Sequence, residues 1–418
     1  MSVSSSTGAR AAGWPLRTLI LIWLGWFVVL YAFQAVVPQR LTLRRPDFAA
    51  EWTAGETAAN SQNNKPYLLE PFLNAQVSWD SEYYLSIALG GYDDPAMRLI
   101  RDRGTGQEVS QNFAFFPLYP LLMRTLLPAL WFLDLTPIAT ASLAGVAVAL
   151  LGTLAGLIAL WDLTRSELGE ADGLRAVAYL LIFPTGFFLA MVYTEGLFLG
   201  LSFTALALSR RKQWLWASLV AGLAPWTRAH GAALALPLVV AWLQAVDWKR
   251  PLGGQFSARW LAQGALALLP LASYLVWRLG PMGQSWAVIQ VNFFQRGLLD
   301  LGGSLASWQR AFAYAGEHGP ALVYMGLEVF TVALAALAGL ALLRRAPAVA
   351  LYSLALVAVS VFSGVAQSMA RYMLVAPATY LVLAWLGRRP AFDRVWSLAS
   401  TLAMGLTALL FAFDMWVG

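Results

Sequence analysis

Five polar groupings interrupt an otherwise apolar chain: Trp79-Asp80-Ser81-Glu82, Gln111-Asn112, Tyr193-Thr194-Glu195, Trp226-Thr227-Arg228-Ala229-His230 and Gln367-Ser368-Met369-Ala370-Arg371-Tyr372. An ionisable group inside a membrane span costs about 2.5–3.5 kcal/mol or more unless it is paired or faces water. Five such groupings from distant parts of one chain point to a shared polar cavity. A carboxylate outside the membrane, with guanidinium groups slightly buried near lipid, supplies the parts needed to move a sugar off a lipid phosphate. Arg228 and Arg371, with His230 beside them, would hold the phosphate and stabilise it as the leaving group, because guanidinium matches phosphate oxygens with two parallel hydrogen bonds. Asp80 would act as general base on an acceptor hydroxyl as that oxygen attacks the anomeric carbon. Attack opposite the phosphate inverts the configuration. Arginine supplies the countercharge, so no metal and no cofactor is expected.

Each grouping also has a purely structural reading. Asp80 can stabilise a helix start, where a carboxylate meets the positive end of the dipole. Glu195 can pair with an arginine simply to hold helices together, and Arg228 and Arg371 can reach for lipid headgroups. His230 near a helix start suits a satisfied donor, and Gln111 and Asn112 suit loop or cap positions. Of the 19 tryptophans, most read as interfacial belt residues, and Trp79 is singled out only by its acidic neighbour. The convergence of the groupings carries more weight than any one member.

The elements that must position these residues follow from composition. With 59% hydrophobic and 12% charged residues over 418 positions and a mean hydropathy of +0.62, the chain reads as an all-α polytopic membrane protein. Its apolar runs are continuous, which excludes the alternating pattern of a transmembrane barrel. The absence of cysteine removes disulfides, thiolate catalysis and Cys-ligated metals. Only His230 and His318 offer imidazole, and neither has an acid at metal-ligand spacing. The net charge of +6 does not mark a nucleic-acid binder, because the basic residues fall in short clusters at helix ends.

Those clusters are Arg10/Arg17, Arg165/Arg175, Arg210/Arg211/Lys212, Lys249/Arg250/Arg259, Arg344/Arg345 and Arg388/Arg389/Arg394. All six fall on the cytoplasmic side if about eleven spans run over 18–37, 138–161, 176–193, 194–209, 213–226, 229–246, 260–279, 320–343, 347–364, 371–387 and 395–416. The run from Arg10 and Arg17 into 18–37 reads as an uncleaved anchor. Residues 38–137 then form a long external loop, and 113–133, with Pro117, Pro120, Arg124 and Pro128, is expected to be re-entrant rather than crossing. Within the loop, 60–65 and 95–108 read as solvated turns. Trp79 to Leu89 has apolar residues at helical spacing, the pattern of an amphipathic interfacial helix stopped by Gly90-Gly91. A second outer segment, 281–319, carries Trp286, Phe293, Phe294 and Trp308 at headgroup level. No soluble domain and no tandem repeat is evident, so 1–418 reads as one membrane domain. On this topology all five polar groupings lie outside.

At these residues the sequence resembles a known family. Trp79-Asp80 with Tyr83/Tyr84, Ile87-Ala88 and Gly91-Tyr92, followed by Phe113-Ala114-Phe115-Phe116-Pro117-Leu118-Tyr119-Pro120, is similar to the motif pair of the PIG-V family, the second mannosyltransferase of glycosylphosphatidylinositol anchor assembly, which has bacterial relatives. Phe183-Pro184-Thr185 with Tyr193-Thr194-Glu195, Thr227-Arg228 with Gly231, and Ser368 with Arg371-Tyr372 follow in the same order. The resemblance implies a GT-C-type inverting transferase that takes mannose from a polyprenyl-phosphate donor, with Asp80 in the position of the essential loop acid. Trp79, Glu82, Tyr83, Asn112, Tyr193, Glu195, Gln367 and Tyr372, from the same polar groupings and motifs, are the candidates to serve the sugar or the acceptor. The short tails and missing cysteine look bacterial, which implies the inner membrane with the site facing outward, and membrane lipids, the lipid-linked donor and a lipid-linked or glycan acceptor as partners. The rival class, a lipid-linked-sugar flippase or transporter, calls for polar groups along a route through both leaflets and an inverted repeat; the polar groups here cluster on one side.

Overall fold

The computed structural model of the chain describes residues 15–43, 46–57, 65–70, 72–244, 257–297 and 299–418. Arg10, Lys249, Arg250 and most of the turn at 60–65 lie outside the described residues. Among the described residues the architecture is helical, with one small hairpin. Leu99–Arg101 pairs antiparallel with Glu108–Ser110, Ile100 opposite Val109, so the stretch expected as a solvated turn is a short ribbon.

Among the described residues four helices are long and apolar enough to cross a membrane: Leu16–Arg40, Pro137–Leu168, Gly319–Leu342 and Pro390–Ala412. A fifth span arises if Ala258–Ala267 and Leu269–Leu279, bent by 48° at their junction, are taken as one. Several of the expected spans are broken rather than continuous. The run 176–193 is helix only to Leu181, then an irregular stretch with a 3₁₀ turn at Gly186–Ala190. Expected span 371–387 is split into Met369–Met373 and Pro377–Leu386, because Pro377 has no N–H to continue the first piece. Irregular backbone within a membrane bundle needs internal partners, and 182–194 has them. The Ser400 hydroxyl donates to the Ile182 carbonyl (2.7 Å), Thr153 to Leu189 (2.8 Å) and Tyr31 to Ala190 (2.8 Å).

The bundle is centred on Pro137–Leu168 and Glu195–Arg210, which run parallel through facing glycines. Gly152 and Gly156 on the first helix meet Gly196 and Gly200 on the second. A Cβ on Gly152 would stand 2.5 Å from the Leu197 Cα, and one on Gly196 would fall on the Ala149 carbonyl oxygen. Both pairs are spaced four apart, the small-residue pattern that lets helix backbones approach closely in lipid.

The parallel pair separates two charged ends. Glu195 opens the second helix and Arg210 closes it, roughly 22 Å apart at ~1.5 Å per residue. Around Arg210 the basic clusters meet acids. Asp162 accepts from Arg211 (2.8 and 2.7 Å) and Arg165 (3.2 Å), Glu167 pairs with Arg210 (3.0 Å), and Asp172 pairs with Arg388 (2.6 Å) and Arg175. With Arg345 also 3.7 Å from Glu167, Arg165, Arg175, Arg210, Arg211, Arg345 and Arg388 share one end of the bundle, as the charge pattern requires.

At the other end, the loop helix Ser81–Leu89 forms where its spacing predicts, but it does not lie on a surface. Ser81, Glu82, Tyr84, Leu85, Ser86, Ile87 and Ala88 are all buried, because helices Leu118–Leu130 and Pro137–Leu168, the turns Pro66–Leu68 and Gln111–Ala114, and Phe115 pack around it. Tyr84 meets Phe115 and Tyr119 edge-on, both at 5.1 Å. Amphipathic spacing reports one apolar face and is blind to loop residues that cover the other.

Candidate active site

Asp80 is held by a local device. Trp79 adopts a left-handed backbone (φ 53°), a conformation uncommon for a bulky residue, and the strand-like run before it lies beside residues 190–193. Val192 donates to the Gln76 carbonyl (3.0 Å), the Tyr193 hydroxyl donates to the Ser78 carbonyl (3.0 Å), and the Asp80 N–H donates back to that hydroxyl (3.1 Å). One tyrosine therefore fixes the turn that aims Asp80. Although Asp80 occupies the cap position of its helix, its side chain accepts no backbone N–H there. Its Oδ2 takes 2.7 Å from Arg371 Nη1 instead, so helix capping does not account for this carboxylate.

Arg371 sits on the five-residue turn Met369–Met373, entered through Ser368 in a left-handed conformation (φ 66°). The Ser368 N–H donates to the Tyr324 hydroxyl (3.1 Å), the Ala370 N–H to Glu328, and Thr185 to the Ala370 carbonyl (3.0 Å). Arg371 is buried, its side chain only 6% exposed, and its Nε lies 3.5 Å from Glu195 Oε1. The same Glu195 oxygen pairs with Arg228 Nη1. Asp80, Arg371, Glu195 and Arg228 therefore form one unbroken chain of ion pairs drawn from four remote segments. Glu195 is buried with Oε2 left without a partner among the described residues, while Asp80 keeps a fifth of its side chain exposed.

Tyr372 organises the cations. The guanidinium carbons of Arg228, Arg296 and Arg371 lie 5.0, 5.4 and 5.6 Å from its ring centroid, within reach of the ring's negative face, and Arg296 donates to its hydroxyl. Three guanidinium groups thus crowd around two carboxylates in direct contact. Glu328 makes no ion pair with them among the described residues; it accepts from the Ala370 N–H and acts on Arg371 through space. An anion placed here gains more than it would beside one arginine, since it relieves repulsion among three.

Of the other residues picked out in the sequence, His230 joins the group. Its Nε2 is 3.1 Å from Ser360 Oγ and its ring lies 5.2 Å from Tyr372. Gln367 accepts from Trp52 Nε1 (3.3 Å), and Trp79 meets Trp52 and Trp416 edge-on. Tyr83 stacks on Phe115 at 4.6 Å. Asn112 is fully buried, its amide donating to Ser86 Oγ (2.7 Å) and the Gly91 carbonyl (3.1 Å), where it ties down the end of the Asp80 helix. Glu82 is buried beside that helix start, and its burial pushes the carboxyl up to about 8, with Lys65 pulling the other way. Asn112, Tyr83 and Glu82 make no contact with the ion-pair chain among the described residues. Arg296 escaped the sequence reading because its segment, Phe293-Phe294-Gln295-Arg296, reads as headgroup cover; the Gln-Arg pair beside two aromatics was the available signal. Trp52 was likewise passed over as one belt tryptophan among many.

Residues 56–235 match the model of the family described as Mannosyltransferase (PIG-V). No curated protein matches the chain. Among solved structures, ArnT from Cupriavidus metallidurans bound to undecaprenyl phosphate aligns at 15% identity and a TM-score of 0.48, covering 92% of this chain and 64% of that one. The archaeal oligosaccharyltransferase AglB from Archaeoglobus fulgidus, in complex with an inhibitory peptide and a dolichol-phosphate, aligns at 12% identity and a TM-score of 0.45, covering 95% of this chain and 56% of that one. The chain therefore spans less than two thirds of the length of either. The matched stretch, which holds Asp80, Glu195, Arg228 and His230, is similar to the PIG-V mannosyltransferase family.

Proposed function

We infer that the protein is a GT-C-type, inverting, metal-independent mannosyltransferase that takes mannose from a polyprenyl-phosphate donor. The acceptor is a lipid-linked or membrane-proximal hydroxyl on the outer face of a bacterial inner membrane. The observation that carries this reading is the ion-pair chain from Asp80 through Arg371 and Glu195 to Arg228, gathered with Arg296 around Tyr372. It sets one partly exposed carboxylate 2.7 Å from a guanidinium that belongs to an anion-seeking group. Base and leaving group thus come within one side chain of each other. The match to the family model over 56–235 supports mannose as the sugar.

In the proposed step, Asp80 takes the proton of the acceptor hydroxyl while that oxygen bonds to the anomeric carbon. The bond from that carbon to the phosphate oxygen breaks, its electron pair leaves with the polyprenyl phosphate, and Arg371, Arg228 and Arg296 stabilise the added charge. Glu195 keeps Arg228 and Arg371 apart and oriented before donor arrives. His230 supports the Tyr372 side of the site. The test is incubation of the purified protein in lipid nanodiscs with labelled polyprenyl-phosphate mannose and a lipid extract. A new labelled product is expected. Donor carried across the bilayer without product would identify a flippase, and neither outcome would leave only a structural subunit.

A further inference from the structure

Three tryptophans from remote segments meet above Asp80. Trp52, Trp79 and Trp416 lie edge-to-face, with centroids 5.7 Å (Trp52 to Trp79), 5.0 Å (Trp52 to Trp416) and 5.1 Å (Trp79 to Trp416) apart. Trp416 is 8% exposed and Trp79 half-buried, whereas Trp52 keeps 40% of its surface open. A belt tryptophan turns its indole N–H toward headgroups. Trp52 does not: its N–H is spent on Gln367 Oε1 at 3.3 Å. The ring is thus pinned at its polar edge by the segment that carries Arg371, and packed on the residue next to Asp80. Trp416 is itself locked, its backbone N–H on Asp47 Oδ2 (2.8 Å) and its indole on the Tyr324 hydroxyl (2.9 Å).

We propose that Trp52, with the Gln367 amide at its edge, is a binding platform for a pyranose ring of the acceptor. This rests on the transferase reading above. A pyranose offers an apolar C–H face ringed by hydroxyls, and the platform offers a rigid aromatic surface ringed by polar groups. Gln367 has spent only its amide oxygen, and its nitrogen donates to no other group among the described residues. The Lys65 ammonium stands 4.6 Å over the Trp79 ring and 3.9 Å from Glu56. That cation disfavours an ammonium ligand on the aromatic cluster, and the C–H face of a neutral polyol matches the open face of Trp52. Trp79 and Gln367 belong to the same short segments as Asp80 and Arg371, so a sugar on Trp52 is held next to the base.

The test is saturation-transfer NMR of methyl α-D-mannopyranoside with the protein in nanodiscs, wild type against Trp52→Ala and Trp52→Phe, with glycerol as the polyol control. Transfer to the ring C–H protons is expected in wild type, to fall about ten-fold in Trp52→Ala, the upper worth of one aromatic face, and to persist in Trp52→Phe. Affinity for polyprenyl-phosphate mannose should stay within about two-fold in both variants. Unchanged transfer in Trp52→Ala, or equal transfer to glycerol, overturns the platform. The two readings separate cleanly. Mannose transfer in the enzymatic assay with Trp52-independent sugar contact defeats the platform alone, whereas Trp52-dependent contact without any transfer defeats the transferase reading alone.

Discussion

Replacing Asp80 by Asn probes the proposed base with little structural disturbance. Asp80 Oδ2 accepts from Arg371 Nη1 at 2.7 Å, and an Asn carbonyl can accept the same bond. Arg371 also keeps Glu195 at 3.5 Å, so the guanidinium is not left as an unpaired buried charge. Because Arg371 is buried and only a fifth of the Asp80 side chain meets solvent, losing the charge costs about 1–3 kcal/mol of stability, held below the loss of a whole buried pair by the retained hydrogen bond and by Glu195. Catalysis should suffer far more. A positioned general base contributes about 10²–10⁴-fold, roughly 3–5.5 kcal/mol of barrier at ~1.36 kcal/mol per tenfold. Removing one negative charge beside three guanidinium groups should leave donor affinity unchanged or tighter. The assay is steady-state transfer from labelled polyprenyl-phosphate mannose in nanodiscs, with kcat and donor KM measured separately and thermal unfolding as a fold control. The expected result is kcat down by at least about a hundred-fold with donor KM not raised. Turnover within ten-fold of wild type, or a loss carried wholly by donor KM, would refute Asp80 as base.

Arg228→Ala should raise donor KM by about 10–100-fold, the worth of one charge-assisted contact, with kcat little changed, whereas Arg371→Ala should depress both, since that side chain also holds Asp80; equal donor affinity in both variants would remove them from the phosphate site. Arg296→Ala should raise donor KM with little loss of stability, because it has no carboxylate partner among the described residues, and an unchanged donor titration would return it to structural cover. Gly196→Ala should cost about 1–3 kcal/mol or more by overpacking, since its Cβ falls on the Ala149 carbonyl, read as a lowered unfolding midpoint in detergent. For Glu82, the folded protein keeps a proton that the unfolded chain sheds, because burial lifts the carboxyl from 4.5 to about 8. Stability from that proton is fully present below the ordinary value and lost as pH rises toward about 8. Glu82→Gln should flatten this fall, and parallel pH dependences of the unfolding midpoint in variant and wild type would sink the assignment.

The sequence alone determined the solvent, the helical class and the residues worth suspecting. Continuous apolar runs leave no other spanning structure, and the cost of charge in lipid makes Asp80, Glu195, Arg228 and Arg371 conspicuous wherever they end up. Clustered arginines also announced one end of the bundle, since such charges collect on a single membrane face. Helix continuity was not legible: 182–194 reads as apolar span, yet its backbone is irregular because side chains of Tyr31, Thr153 and Ser400 satisfy its carbonyls from elsewhere. Nor could spacing tell that the Asp80 helix is buried on its polar side, or that Asn112 serves that helix rather than the ion pairs. Only tertiary structure joined Asp80 to Arg371 across 291 positions and recruited Arg296 and Trp52. Such pairings depend on glycine-mediated helix approach and on which loop folds over which turn, long-range packing that one-dimensional periodicity does not encode.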